Sequence, residues 1–266
     1  MSADETDFAH IIRPMTKFFT AGHSDSGDSY LPDGVLPWAE RTRAWIEAAS
    51  GTPCELQQVR FAPIGSRAVD YLLDQVARAA PDILVLPLGT YVFAVGTVEE
   101  SIRARFGAQV QRLYRRSEAA FQRGTSDGQR RRRTNRAGRR IARTVIGTRA
   151  MATVEQTATI YVEILHRLAQ IESLQVVAVA DARFSLETQK RNPGLHDKVE
   201  RMHAILLPVI EQHHFMLADL EGALRKAPDR SVFHHDDGVH TTAAFHETYF
   251  ELLKETLAGS LRSASE

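Results

Sequence analysis

The sequence is short of several things. One cysteine in 266 residues, Cys54, excludes an internal disulfide, which fits a reducing compartment and a buried structural thiol. Aromatic residues are only 8% of the chain. The longest stretch without a charged residue, Ile83 to Val98, spans 16 residues and is broken by Pro87, Gly89 and Gly96. A membrane-spanning helix needs ~20 apolar residues, so none is expected. The opening MSADETDF is acidic and lacks an apolar run, so no secretory leader is expected and the location implied is cytoplasmic. Net charge is also absent, at +0, with 33 basic and 33 acidic residues. What is present, 43% hydrophobic and 25% charged residues, is the mixture of an ordinary globular protein rather than a disordered or fibrous one.

The zero net charge conceals an asymmetry. From Arg103 to Arg149 there are 15 arginines against Glu118 and Asp127 alone, a local excess of +13 that the rest of the chain cancels. Within this segment Ile102, Phe106, Val110 and Leu113 recur at helical spacing, and Gly124 to Gly128 breaks the pattern. An Arg-rich helical hairpin over residues 99–150, inserted in a single domain of residues 1–266, is the expected organisation. A solvated charged hairpin is its plainest reading. Arginines also bind phosphate in bidentate fashion, so an anionic ligand, an anionic membrane surface or nucleic acid are the partners such a segment would fit. Only Phe106, Tyr114 and Phe121 interleave with the arginines, which gives base stacking little to work with.

Elsewhere strand and helix patterns alternate. Strands are expected at Lys17–Ala21, Leu56–Ala62, Asp82–Leu86, Leu174–Ala180 and Phe215–Ala218. Helices are expected at Leu36–Ala49, after Ser66 as N-cap, at Thr153–Ile171, His196–Gln212 and Thr242–Leu257. The nearly all-apolar run before Pro87 suits a central parallel strand covered on both faces. The fold class is α/β, a three-layer sandwich around a mostly parallel five-stranded sheet. Ligands in such folds bind beyond the carboxyl ends of the strands.

Three regions following strands carry the chemistry-bearing residues: Gly22-His23-Ser24 after the first strand; Gly65 after the second, with Gly89-Thr90-Tyr91 after the third; and Asp237-Gly238-Val239-His240 before the last helix. A serine becomes a nucleophile when a histidine takes its proton, and an acid must orient that histidine. An Asp and a His three apart can supply both. In order and spacing these blocks resemble the SGNH (GDSL-type) hydrolase family over nearly the whole chain outside the Arg-rich segment. Pro81-Asp82-Ile83-Leu84-Val85 leading to Leu88-Gly89-Thr90 is similar to the family's third block, and Asp237-Gly238-Val239-His240-Thr241 to its fifth.

The resemblance implies a flavodoxin-like fold and an esterase that forms an acyl-serine, with a small-molecule ester as substrate and no cofactor. It assigns Ser24 as nucleophile, His240 as general base and Asp237 as orienting acid. Oxyanion donors would be the N–H groups of Ser24 and Gly65, with Tyr91. Two positions depart from the family pattern: His23 replaces the Asp of Gly-Asp-Ser, and Tyr91 replaces the Asn of the third block. A fold that has lost catalysis and binds an anionic partner through the Arg-rich segment is the alternative.

Other readings are weaker. A literal Gly27-Asp28-Ser29 lies farther past the expected strand end than Ser24 does. An α/β-hydrolase elbow needs Gly where Ser26 stands, and strands before its serine. His234, His235, Asp236, Asp237 and His240 form a ligand-dense run that His213 and His214 could join at the same sheet edge. No HExxH or paired-cysteine spacing accompanies them, and no metal is assigned.

Overall fold

The structure is a computed structural model that describes residues 15–22, 31–94, 96–123, 149–180, 185–192, 194–235 and 240–263. Five strands form one sheet: β1 (Thr16–Gly22), β2 (Cys54–Arg60), β3 (Ile83–Pro87), β4 (Gln175–Ala180) and β5 (Met216–Asp219). Their order is β2-β1-β3-β4-β5, and every pairing is parallel. Every residue of β3 is buried, as are the last five of β1 and of β4, the burial expected of central strands with helices on both faces. At the edge, β2 is less covered: only Cys54 is buried, and Glu55, Gln58 and Arg60 are exposed.

The helices are α1 (Trp38–Ser50), α2 (Ala68–Ala79), α3 (Tyr91–Ala94), α4 (Val98–Arg123), α5 (Val154–Leu168), α6 (Leu186–Arg191), α7 (Leu195–Gln212), α8 (Leu220–Arg225) and α9 (Ala243–Ser263). One face of the sheet packs Phe19, Leu84, Leu86 and Val176 against α2, α5 and α7. The other packs Phe18, Val85, Val177 and Val179 against α1, α8 and α9. This is the three-layer α/β sandwich expected from the alternating patterns. Cys54 is buried at the start of β2, and burial, only partly opposed by the Arg43 charge, pushes its thiol up to about 11.

Three local expectations are corrected. Ser66 does not cap α2. The N-cap position is Arg67, which makes no side-chain cap, and the Gly65 carbonyl accepts from Ala68 N–H at 3.2 Å instead. β2 starts and ends two residues earlier than its apolar run, because its seven residues pair one for one with β1. The third correction concerns the Arg-rich segment, where Ile102 to Leu113 is not one amphipathic helix. Gly107, at φ 83° and ψ 172°, breaks α4 into arms 98–106 and 108–123.

The two arms fold back on each other. Gln111 Nε2 donates to Glu99 at 3.2 Å and to Glu100 at 3.0 Å, and Arg115 pairs with Glu99. Twelve residues of unbroken helix would separate Glu99 from Gln111 by ~18 Å. A turn therefore lies at Gly107, where none was expected; the Gly124–Gly128 break expected from sequence is outside the described residues. At the base of the segment Thr97 and Arg149 exchange both backbone hydrogen bonds, at 2.9 and 3.1 Å, so the chain leaves and returns at one place.

Candidate functional site

The site is built from strand ends. β1 lies between β2 and β3, with Gly22 in register with Arg60 and Thr20 with Val85. Neighbouring strands are ~4.8 Å apart, so the carboxyl ends of the three emerge side by side. The β1 end is fixed by Phe61 N–H donating to Gly22 O at 3.0 Å. Ser24 follows two residues later, and with Ser29 and Asp237 it lies outside the described residues.

Gly65 lies in the turn after β2, exposed and at φ +76°. That left-handed conformation is open to glycine and strained for a residue bearing a Cβ. Its N–H has no hydrogen-bond partner among the described residues, while its carbonyl closes the first turn of α2. A backbone donor is thus held at the sheet edge with its hydrogen-bonding capacity uncommitted to those residues.

After β3, the chain turns through Leu88, Gly89 and Thr90 into α3, whose first residue is the half-buried Tyr91. This turn is clamped by a residue that the sequence reading did not single out. The Tyr161 hydroxyl, on α5 and 1% exposed, accepts from Gly89 N–H at 2.8 Å and donates to Pro87 O at 3.0 Å. One buried phenol thus braces a turn that is also closed by Gly89 N–H donating to Pro87 O at 2.9 Å. Leu88 N–H donates to Val179 O at 3.0 Å and ties the same turn to β4.

His240 reaches this edge by a different route. A 3-10 turn (Arg230–Phe233) leads to a bridge between His234 and Thr241, and His235 N–H donates to His240 O at 2.9 Å. The loop is thereby closed immediately before α9. Within α9, His246 is 2% exposed; its Nδ1 accepts from Trp38 N–H at 3.1 Å, and its Nε2 lies 3.3 Å from Thr241 Oγ1. An acceptor at Nδ1 puts the proton of the neutral ring on Nε2, so His246 donates to Thr241, the residue after His240.

Trp38 begins α1, the crossover from β1 to β2. A crossover helix runs back against its parallel strands, so its first residue lies at their carboxyl edge. Farther along, Arg41 pairs with Glu247, its guanidinium stands 4.6 Å from the Phe250 ring centre, and the Trp38 and Tyr249 rings are 4.3 Å apart. α1 and α9 therefore run in the same direction from a common start. The structure places Gly65, Tyr91 and His240 at the carboxyl edge that β1 feeds.

His213 and His214 are elsewhere. They follow α7 and precede the first residue of β5, at the amino edge of the sheet. There His166 Nδ1 is 2.7 Å from His213 Nε2, beside a cavity of about 340 Å³ that both His213 and His214 line. The expectation that they could join the His234–His240 run is corrected by topology: a strand separates the two edges.

His246 and Tyr161, which hold the segments next to His240 and Tyr91, were missed by sequence reading. The signal for His246 was a polar ring beside Phe245 at the border of an apolar helical stripe. Tyr161 offered no local signal, since its partners are more than 70 residues away.

No protein-family model matches the chain, and no curated protein matches it in sequence. Solved structures do share its fold. The acetylxylan esterase Axe2 from Geobacillus stearothermophilus superposes with a TM-score of 0.54 at 9% identity, over 91% of this chain and 93% of that one. The lipase/acylhydrolase from Enterococcus faecalis gives 0.53 at 14% identity, over 92% and 97%. TesA gives 0.53 at 14%, over 91% and 98%. The likeness is one of fold, and the fold is the parallel-sheet sandwich that the SGNH resemblance implied.

Proposed function

We propose that this protein hydrolyses O-acyl esters through an acyl-serine intermediate on Ser24. The observation that carries the reading is the end of β1 at Gly22, flanked by the Gly65 turn on one side and the Gly89–Tyr91 turn on the other. Parallel sheets bind ligands beyond the carboxyl ends of their strands, and Ser24 follows this end by two residues in sequence. The fold neighbours named as an acetylxylan esterase and a lipase/acylhydrolase support the same chemistry.

In this mechanism His240 takes the Ser24 proton as Oγ attacks the ester carbonyl, and Asp237 holds the imidazole and stabilises its cation. The tetrahedral oxyanion meets the N–H groups of Ser24 and Gly65, with the Tyr91 hydroxyl as a third donor in place of a carboxamide. Collapse breaks the C–O bond, and the leaving alkoxide takes the proton from His240. His240 next deprotonates water, which attacks the acyl-serine and releases the acid while Ser24 recovers its proton. No cofactor enters the scheme.

The test is hydrolysis of p-nitrophenyl acetate by the full chain. Ser24→Ala and His240→Ala are each expected to lower kcat by at least ~10³-fold with folding intact. Wild-type turnover that survives Ser24→Ala overturns the assignment. A wild-type protein inert toward esters instead supports a binding protein on the same fold, in which Tyr91 marks the loss of the third oxyanion donor.

A further inference from the structure

The fold-back at Gly107 has a consequence at the surface. Ile102, before the turn, is 4% exposed, whereas the rest of the apolar series faces outward: Phe106 is 59% exposed, Val110 41% and Leu113 64%. The inner side of the second arm is used by Gln111 and Arg115, which hold Glu99 and Glu100. Val110 and Leu113 are three residues apart, one turn of helix, on the side away from those contacts.

Around the apolar side chains stand Arg105, Arg112 and Arg116, all exposed and none in an ion pair among the described residues. Residues 103–116 include no acid, and the whole Arg103–Arg149 stretch carries +13. An exposed apolar series of this kind marks an interaction surface, and its arginine border favours an anionic cover.

We propose that the Gly107 hairpin is a docking surface for an anionic lipid bilayer, with Phe106, Val110 and Leu113 entering the headgroup boundary and the arginines meeting lipid phosphates. Helices that lie in this interface combine the same two features, an apolar face and a cationic border. Nucleic acid would take the arginines but offers no apolar seat for three aliphatic and aromatic side chains, and this favours lipid between the two polyanions. The surface operates whether or not the site at the sheet edge cleaves esters.

The experiment is co-sedimentation of the full chain with phosphatidylcholine vesicles, with and without phosphatidylglycerol, in ~0.1 M salt, where charges still act over ~10 Å. Binding to the anionic vesicles is expected, with little to the neutral ones, and it should weaken as salt rises. The double variant Phe106→Ser with Leu113→Ser should lower partitioning at least ~10-fold, since each side chain loses an apolar seat. Each of Arg105→Gln, Arg112→Gln and Arg116→Gln should lower it roughly fivefold.

All five positions are exposed, so circular dichroism of the variants should match the wild type. Equal pelleting with neutral and anionic vesicles, or with neither, overturns the proposal, as does binding unchanged by the double serine variant. Tight binding to duplex DNA that ignores that variant would assign the arginines to nucleic acid. Self-association abolished by it would assign the apolar face to a second copy. Either result overturns the lipid surface.

Discussion

The His246 contacts allow a prediction that separates the two ends of one imidazole. Nδ1 accepts from Trp38 N–H at 3.1 Å inside the α1–α9 interface, and Nε2 reaches Thr241 at 3.3 Å. His246→Ala removes both. It leaves the Trp38 amide, in a residue 1% exposed, without a partner, at a cost of ~1–3 kcal/mol. The longer Thr241 bond adds ~0.5–1.5 kcal/mol, giving about 1.5–4.5 kcal/mol in all. Asn at this position can place an amide oxygen near Nδ1, whereas Gln can place its amide nitrogen near Nε2.

His246→Asn should therefore recover much of the stability by satisfying Trp38, while His246→Gln should recover less stability but preserve the Thr241 contact that steadies His240. Urea unfolding followed by tryptophan fluorescence reports the first quantity, because both tryptophans, Trp38 and Trp45, lie on α1. The kcat for p-nitrophenyl acetate, measured well below the unfolding midpoint, reports the second. Stability should rank wild type, Asn, Gln, Ala, and kcat should rank wild type, Gln, Asn, Ala. Equal losses for all three variants, or no loss in Ala, would refute the bridging role.

Two further outcomes are expected. Tyr161→Phe removes the hydroxyl shared by Pro87 O and Gly89 N–H, which stay bonded to each other; it should cost ~0.5–1.5 kcal/mol in a thermal or urea melt. It should also lower kcat about tenfold with KM nearly unchanged, a split that a purely structural loss would not produce at permissive temperature. His203, on α7, has its imidazole held below the usual 6.5 by burial, against the pull of Asp219, Glu221 and Glu200. Below about 6.5 the unfolded chain takes up a proton that the folded chain resists, so this contribution to stability is present above that pH and is lost as pH falls toward the lower folded value. His203→Gln should make the fall in Tm from neutral to mildly acidic pH shallower than in wild type, and an unchanged slope would contradict the assignment.

How much was legible in the sequence follows from the range of each interaction. The apolar run Ile83–Leu86 announced a central strand because burial on both faces leaves no polar alternation. The spacing of Gly65, Gly89 and His240 relative to strands and to the last helix located the edge where the structure places them. The turn at Gly107 was hidden, because Ile102, Phe106, Val110 and Leu113 fit one helix by period, and periodicity is blind to a single glycine with positive φ. Ser66 looked like a cap by residue type, yet the Gly65 carbonyl had already taken the donor. His246 and Tyr161 act through partners 208 and more than 70 residues away, respectively, and no local pattern encodes such pairings.

The proposed mechanism requires a reactive hydroxyl on Ser24, two residues past the end of β1 in sequence. Treatment of the full chain with a fluorophosphonate probe, followed by peptide mass spectrometry, tests this most directly. The expected result is a single phosphonyl adduct on Ser24, absent in Ser24→Ala and strongly slowed in His240→Ala. An adduct on Ser29, labelling that persists in Ser24→Ala, or no adduct on a folded wild-type chain would contradict it.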